Sequence, residues 1–131
     1  MDLHSAQIHL VFGWIRIGFG IVFGALLGSR FREDRWWNGY MSFKRRLYRL
    51  AHVAIFALAM INLLFHFTVR GLQAPSIATP IASIGFLVGA SMMPVCCITV
   101  AHAPKLRMLF ALPISSLLLA SALTAWEAIV R

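Results

Sequence analysis

Carboxylates are nearly missing from this chain. Asp2, Glu33, Asp34 and Glu127 are the only acidic residues among 131, against 12 lysines and arginines. Acid–base chemistry by paired carboxylates needs two of them at one place, and these four supply no pair at a shared depth. Charge of either sign is scarce as well. It makes up 12% of the residues, where an average soluble domain carries about a quarter, so too little polar surface exists to wrap a soluble core. Cysteine occurs only as the neighbours Cys96 and Cys97. Adjacent thiols rarely reach disulfide geometry, which removes a disulfide framework. There is no phosphate loop, nucleophile elbow or zinc signature. No basic stretch precedes the first apolar run and no small-residue cleavage motif follows it, so that run is expected to stay rather than be removed as a signal peptide. These absences argue against a stand-alone catalyst.

What the chain does have is oil. Hydrophobic residues make up 60% of it. Four apolar runs can be marked, at residues 8–29, 47–69, 81–101 and 108–130. Each is close to the ~20 residues that cross ~30 Å of hydrocarbon as a helix. Helices satisfy their own backbone in lipid, whereas an open sheet does not. The expectation is an all-α integral membrane protein, a single four-helix transmembrane bundle over residues 1–131.

Basic residues set its expected orientation. The first loop, residues 30–46 and on to Arg49, carries Arg30, Arg32, Arg35, Lys44, Arg45, Arg46 and Arg49, and the third carries Lys105 and Arg107. The second loop has only Arg70. Both basic loops are therefore expected in the cytoplasm and both termini outside, in the cell's inner membrane. The net charge of +8 is confined to these flanks, which reads as attraction to anionic headgroups rather than to nucleic acid. Trp36, Trp37, Tyr40 and Tyr48 in the same segment read as an interfacial anchor or as a surface for a partner subunit.

In the first helix, Gly20, Gly24 and Gly28 recur every four residues. Such a ridge lets another helix approach closely, in self-association or against another subunit. Arg16 lies on the face of His9, Gly13 and Gly20, about two turns inside. A guanidinium there is costly unless paired, and it either snorkels, pairs with Glu127, or clamps an acidic cofactor group such as a propionate.

His52 and His66 are fourteen residues apart, close to four full turns, and so share a face. His9 falls at the depth of His66 and His102 at the depth of His52. This spacing resembles the diheme b-type cytochromes of respiratory membranes, where bundle histidines hold two stacked haems. In that family the partner helix carries a second pair at the same spacing, whereas here His9 and His102 come from two helices. The segment "LHSAQIHLVFGW" is similar to histidine-bearing helices of haem–copper oxidase subunits and small bacterial membrane proteins related to them. The resemblance implies haem b as cofactor, His52, His66, His102 and His9 as ligands, and electron transfer. Histidines at two helix ends also arise simply as interfacial residues, and both readings stand.

In the third run, Met92 and Cys96, and Met93 and Cys97, are four apart around Pro94. Soft ligands of this kind suit Cu(I), or they fill gaps beside a proline kink. Pro113 with Ser115 and Ser116 reads as a second kink. Three functions remain: a small accessory subunit of a larger, respiratory membrane complex, a haem-b electron carrier, and a soft-metal transporter.

Overall fold

The computed structural model describes residues 3–33, 36–72 and 76–130. Asp2, Asp34 and Arg35, counted above for charge, lie outside them, as do residues 73–75 of the second loop. Four helices follow one another: α1 (Leu3–Phe31), α2 (Phe43–Gly71), α3 (Ala78–His102) and α4 (Ala111–Val130). Among the described residues every regular element is helical, and all four helices are long and apolar enough to span a membrane.

The first three helices outrun the apolar runs, and at α2 a polar N-cap sets the earlier start. Ser42 Oγ accepts from the Arg45 N–H at 3.3 Å and starts α2 four residues before Leu47, through the basic segment. Just before α3, Ser76 Oγ accepts from the Ala78 N–H at 3.1 Å, while the N-cap position itself is Ile77, which has no side-chain cap. Pro104 opens a short 3-10 stretch from Pro104 to Phe110, so α4 begins later than expected, at Ala111. Pro113 then sits in the first turn of α4, where its missing N–H has no intrahelical partner to lose. It is therefore no mid-helix kink. Ser115 Oγ donates to Leu112 O within α4, but Ser116 Oγ donates across to Gly85 O at 2.7 Å.

Each helix packs on its neighbour in the chain: α1 on α2, α2 on α3, α3 on α4. The middle helices are the more covered. Of their most apolar stretches, 50% in α2 and 39% in α3 is buried, against 17% in α1 and 11% in α4. Buried positions in α1 include a seven-residue series (Ala6, Gly13, Gly20, Leu27) with His9 beside it, and those in α4 recur every seven (Pro113, Ala120, Glu127). Such a narrow seam is the pattern of helices crossing at a shallow angle. At the end of the bundle near the N-terminus, Ala6, Phe65, Val69, Ala82, Phe86 and Ala120 bring all four helices into one cluster.

Small residues make the seams. A Cβ on Gly13 would meet Leu63 at 2.7 Å, and one on Gly20 would meet Phe56 at 2.8 Å. Gly24 makes room for the His52 ring, while nothing lies near Gly28. The contacted ridge is thus Gly13, Gly20 and Gly24, and it is filled by α2 of the same chain. Between α3 and α4 the contact includes backbone as well as a side chain. A Cβ on Gly85 would lie 2.9 Å from the Ala120 Cβ and 3.0 Å from Ser116 O.

Candidate functional site

Polar side chains are concentrated at the N-terminal end of the bundle, inside the seam of α1, α2 and α3. His9 on α1 is fully buried. Its Nδ1 lies 2.7 Å from Asn62 Oδ1 on α2, and its Nε2 lies 2.7 Å from Ser83 Oγ on α3. The direction of these bonds follows from Asn62, whose Nδ2 donates to Leu58 O at 2.7 Å. That leaves Oδ1 toward His9, so His9 Nδ1–H donates to it, and in the neutral ring Nε2 accepts from the Ser83 hydroxyl. The Phe65 ring closes the site, edge to face at 4.6 Å between centroids.

One turn further along α2, His66 is buried and its Nδ1–H donates to Ala6 O at 2.6 Å. His66 Nε2 and Thr79 Oγ1, the latter one turn from Ser83 on α3, are buried without a hydrogen-bond partner among the described residues. Beyond them, Ser76 Oγ donates to the buried Glu127 carboxylate on α4. The polar groups thus form successive levels, each joining two or three helices. In an apolar medium such bonds hold helices together where oil alone does not discriminate.

His9 and His66 are neighbours but lie about one turn apart in depth, His9 level with Asn62 and His66 with Ala6, and His52 and His66 share the face toward α1, as fourteen-residue spacing requires. His52 is half-buried over Gly24, flanked by the rings of Phe23 and Phe56 at 6.2 and 5.2 Å. His102 is not joined to it. His102 is exposed at the opposite end of the bundle from His9, its Nε2 2.9 Å from the Tyr48 hydroxyl, with the Trp37 ring against it. Two bis-histidine haem sites do not fit this arrangement. Both ring nitrogens of His9 are engaged, and Leu63 and Phe56 fill the α1–α2 seam against glycine.

Arg16 does not meet Glu127. Ser76, the partner of Glu127, is seven residues before Ser83, and Arg16 is seven after His9, so the two charges lie about 20 Å apart in depth. The Arg16 guanidinium stacks over Phe12 at 5.3 Å. Its Nε and Nη2 are buried with no hydrogen-bond partner, and no carboxylate pairs with it among the described residues. Cys96 and Cys97 are buried free thiols, and Cys96 Sγ lies 3.5 Å from Leu109 O. Consecutive helical residues point about 100° apart, and Met92 and Met93 are only half-buried beside them. Among the described residues no three His, Cys, Asp or Glu side chains gather as a metal site.

At the basic end, Arg45 is buried and organises the first loop. Its Nε donates to Trp36 O at 2.6 Å and its Nη2 to Glu33 O. The same guanidinium lies over the Phe31 and Trp36 rings at 5.6 and 5.4 Å. Trp36 stacks on Trp37 at 4.1 Å, and Trp37 packs on Tyr48 at 4.5 Å. These contacts hold Trp37 in the left-handed region at φ 50°, a conformation that costs a bulky residue about 1–3 kcal/mol.

Several of these residues escaped the reading of the sequence. Asn62, a lone amide in an apolar run one turn before His66, carried a usable signal, because polar groups at that depth face protein. Gly85, opposite Ser116 and Ala120, and Gly89, opposite Leu117, carried another, as small residues at four-residue spacing. Ser83 and Arg45 carried none that distinguishes them from their neighbours. The chain matches no family model, no curated protein and no solved structure.

Proposed function

We propose that this protein is a small accessory subunit of a larger membrane complex, bound within the bilayer by other membrane subunits and without a reaction of its own. A respiratory complex is the host that the sequence resemblance favours. In this reading both basic loops face the cytoplasm and both termini face out of the inner membrane.

The observation that carries the proposal is Arg16. It sits ten residues inside the span that begins at Ala6, and two of its nitrogens are shielded but unsatisfied. A guanidinium at that depth costs several kcal/mol unless an acceptor meets it. Arg16 is only half-buried, and a carboxylate or a carbonyl of an adjoining subunit, reaching the side of the guanidinium that this chain leaves open, is the group that answers this need. The polar levels at His9 and His66 then serve as internal joinery that keeps the four helices in one register.

Affinity isolation of the intact protein from native membranes in mild detergent tests this. The wild type is expected to bring defined membrane subunits with it, and Arg16→Gln to lose them while the isolated bundle stays folded. Undiminished recovery of the same subunits with Arg16→Gln would count against the reading. Electron transfer rests on histidine spacing, and a reduced-minus-oxidised spectrum of the isolated assembly reads it directly. Passage of soft metal rests only on the types of side chain in α3.

A further inference from the structure

The lipid-facing side of α2 changes character along its length. At the basic end, Phe43, Arg46, Leu47, Arg49, Leu50 and Val53 line an open groove of about 520 Å3. Arg46 is exposed, and its side chain enters none of the hydrogen bonds or ring contacts among the described residues. Arg49 lies over the Tyr40 ring at 4.1 Å and donates one Nη1 hydrogen bond to Tyr40 O at 3.3 Å. Tyr40 therefore holds the guanidinium in place while the remaining donors face outward. From the groove an exposed apolar track continues along the same face through Leu50, Val53, Ala57 and Met60. Leu50 to Met60 spans about 15 Å, half of the ~30 Å hydrocarbon thickness and so the depth of one leaflet.

We propose that this face is a binding site for one anionic phospholipid, its phosphate between Arg46 and Arg49 and one acyl chain along Leu50, Val53, Ala57 and Met60. The proposal rests on the membrane-spanning reading above. Two guanidinium groups at one position match a phosphate in charge and in planar donor geometry. A soluble anion makes no use of the apolar track, and a zwitterionic headgroup returns little for the paired arginines. The site lies on α2, apart from the aromatic stack of the first loop, and adds a defined occupant to general attraction toward acidic lipid.

Native mass spectrometry of the full chain in neutral detergent, titrated with phosphatidylglycerol or phosphatidylcholine, tests it. One phosphatidylglycerol is expected to bind in preference to phosphatidylcholine. At about 1 kcal/mol per cation near the surface, Arg46→Gln should weaken it about fivefold, and Arg46→Gln with Arg49→Gln about thirtyfold. Arg30→Gln with Arg32→Gln removes the same charge elsewhere in the loop and should leave binding unchanged. Equal loss in the two double variants would mean diffuse attraction and would overturn the site. So would equal binding of the two lipids, or competition by glycerol phosphate or an acidic peptide as effective as the lipid. Carbonate extraction of the wild type reads membrane insertion separately, and failure there would strike the membrane reading itself.

Discussion

The imidazole of His9 hangs between Asn62 and Ser83, with 2.7 Å to each, so that one side chain of α1 bonds to both of the central helices. Its cost and benefit are those of a polar group in oil. Unmade, each of these bonds leaves a buried donor or acceptor stranded. Made, they fix the depth at which three helices meet.

Asn62→Leu should therefore destabilise the bundle by about 1–2 kcal/mol, because it strands His9 Nδ1–H. His9→Leu combined with Asn62→Leu should cost clearly less than the sum of the two single changes, since both partners leave together. Unfolding in mixed detergent micelles measures the cycle. Simple additivity would show that the two residues do not act on each other.

Gly85→Ala should cost about 1–3 kcal/mol, because the new methyl group meets Ala120 Cβ and Ser116 O, neither of which can swing away. Gly28→Ala should be neutral or slightly stabilising, since nothing lies near it and alanine favours helix. Thermal melting of the two variants in detergent decides this, and equal behaviour would contradict the seam described.

Much of the architecture was legible in the sequence. The four spans come from hydropathy, which responds to length and oiliness alone, so they emerge with only their ends misplaced. The ends depend on local chemistry, such as the Ser42 cap and Pro104. Which face of a span points inward is another matter. In lipid, leucine suits both the interior and the exterior, so only small and polar residues report the phase. Gly20 and Gly24 lie against α2, whereas nothing of this chain lies near Gly28. That His9 and His66 would fall at the same end of the bundle was readable from helix length, though His66 lies one turn beyond His9. That His9 would bind an amide and a hydroxyl was not, because it depends on how α2 and α3 are rotated against α1.

Replacing Arg45 by Met should release the first loop. Two charge-assisted bonds to Trp36 O and Glu33 O are lost, about 2–3 kcal/mol of local order. Tryptophan fluorescence should shift to longer wavelength and protease cleavage near Trp37 should accelerate. Arg45→Lys should recover only part of this, since a single ammonium cannot reproduce the flat stack over Phe31 and Trp36. Unaltered fluorescence in Arg45→Met would contradict the role given to Arg45.

Thiol labelling can read the orientation. Cys96 and Cys97 are buried and should react only after unfolding. Asn38→Cys should then react with an impermeant reagent from the cytoplasmic side alone, and Ile77→Cys from the other side alone. The reverse pattern would invert the proposed topology.

The packing of each helix on its predecessor bears on biogenesis. In the membrane-spanning reading, every new span finds its chief neighbour already made, so synthesis and assembly would share one direction. Ser83 on α3 also reaches back past α2 to His9. That bond closes only on arrival of the third span, and acts as a latch confirming that the first two have settled at the right height.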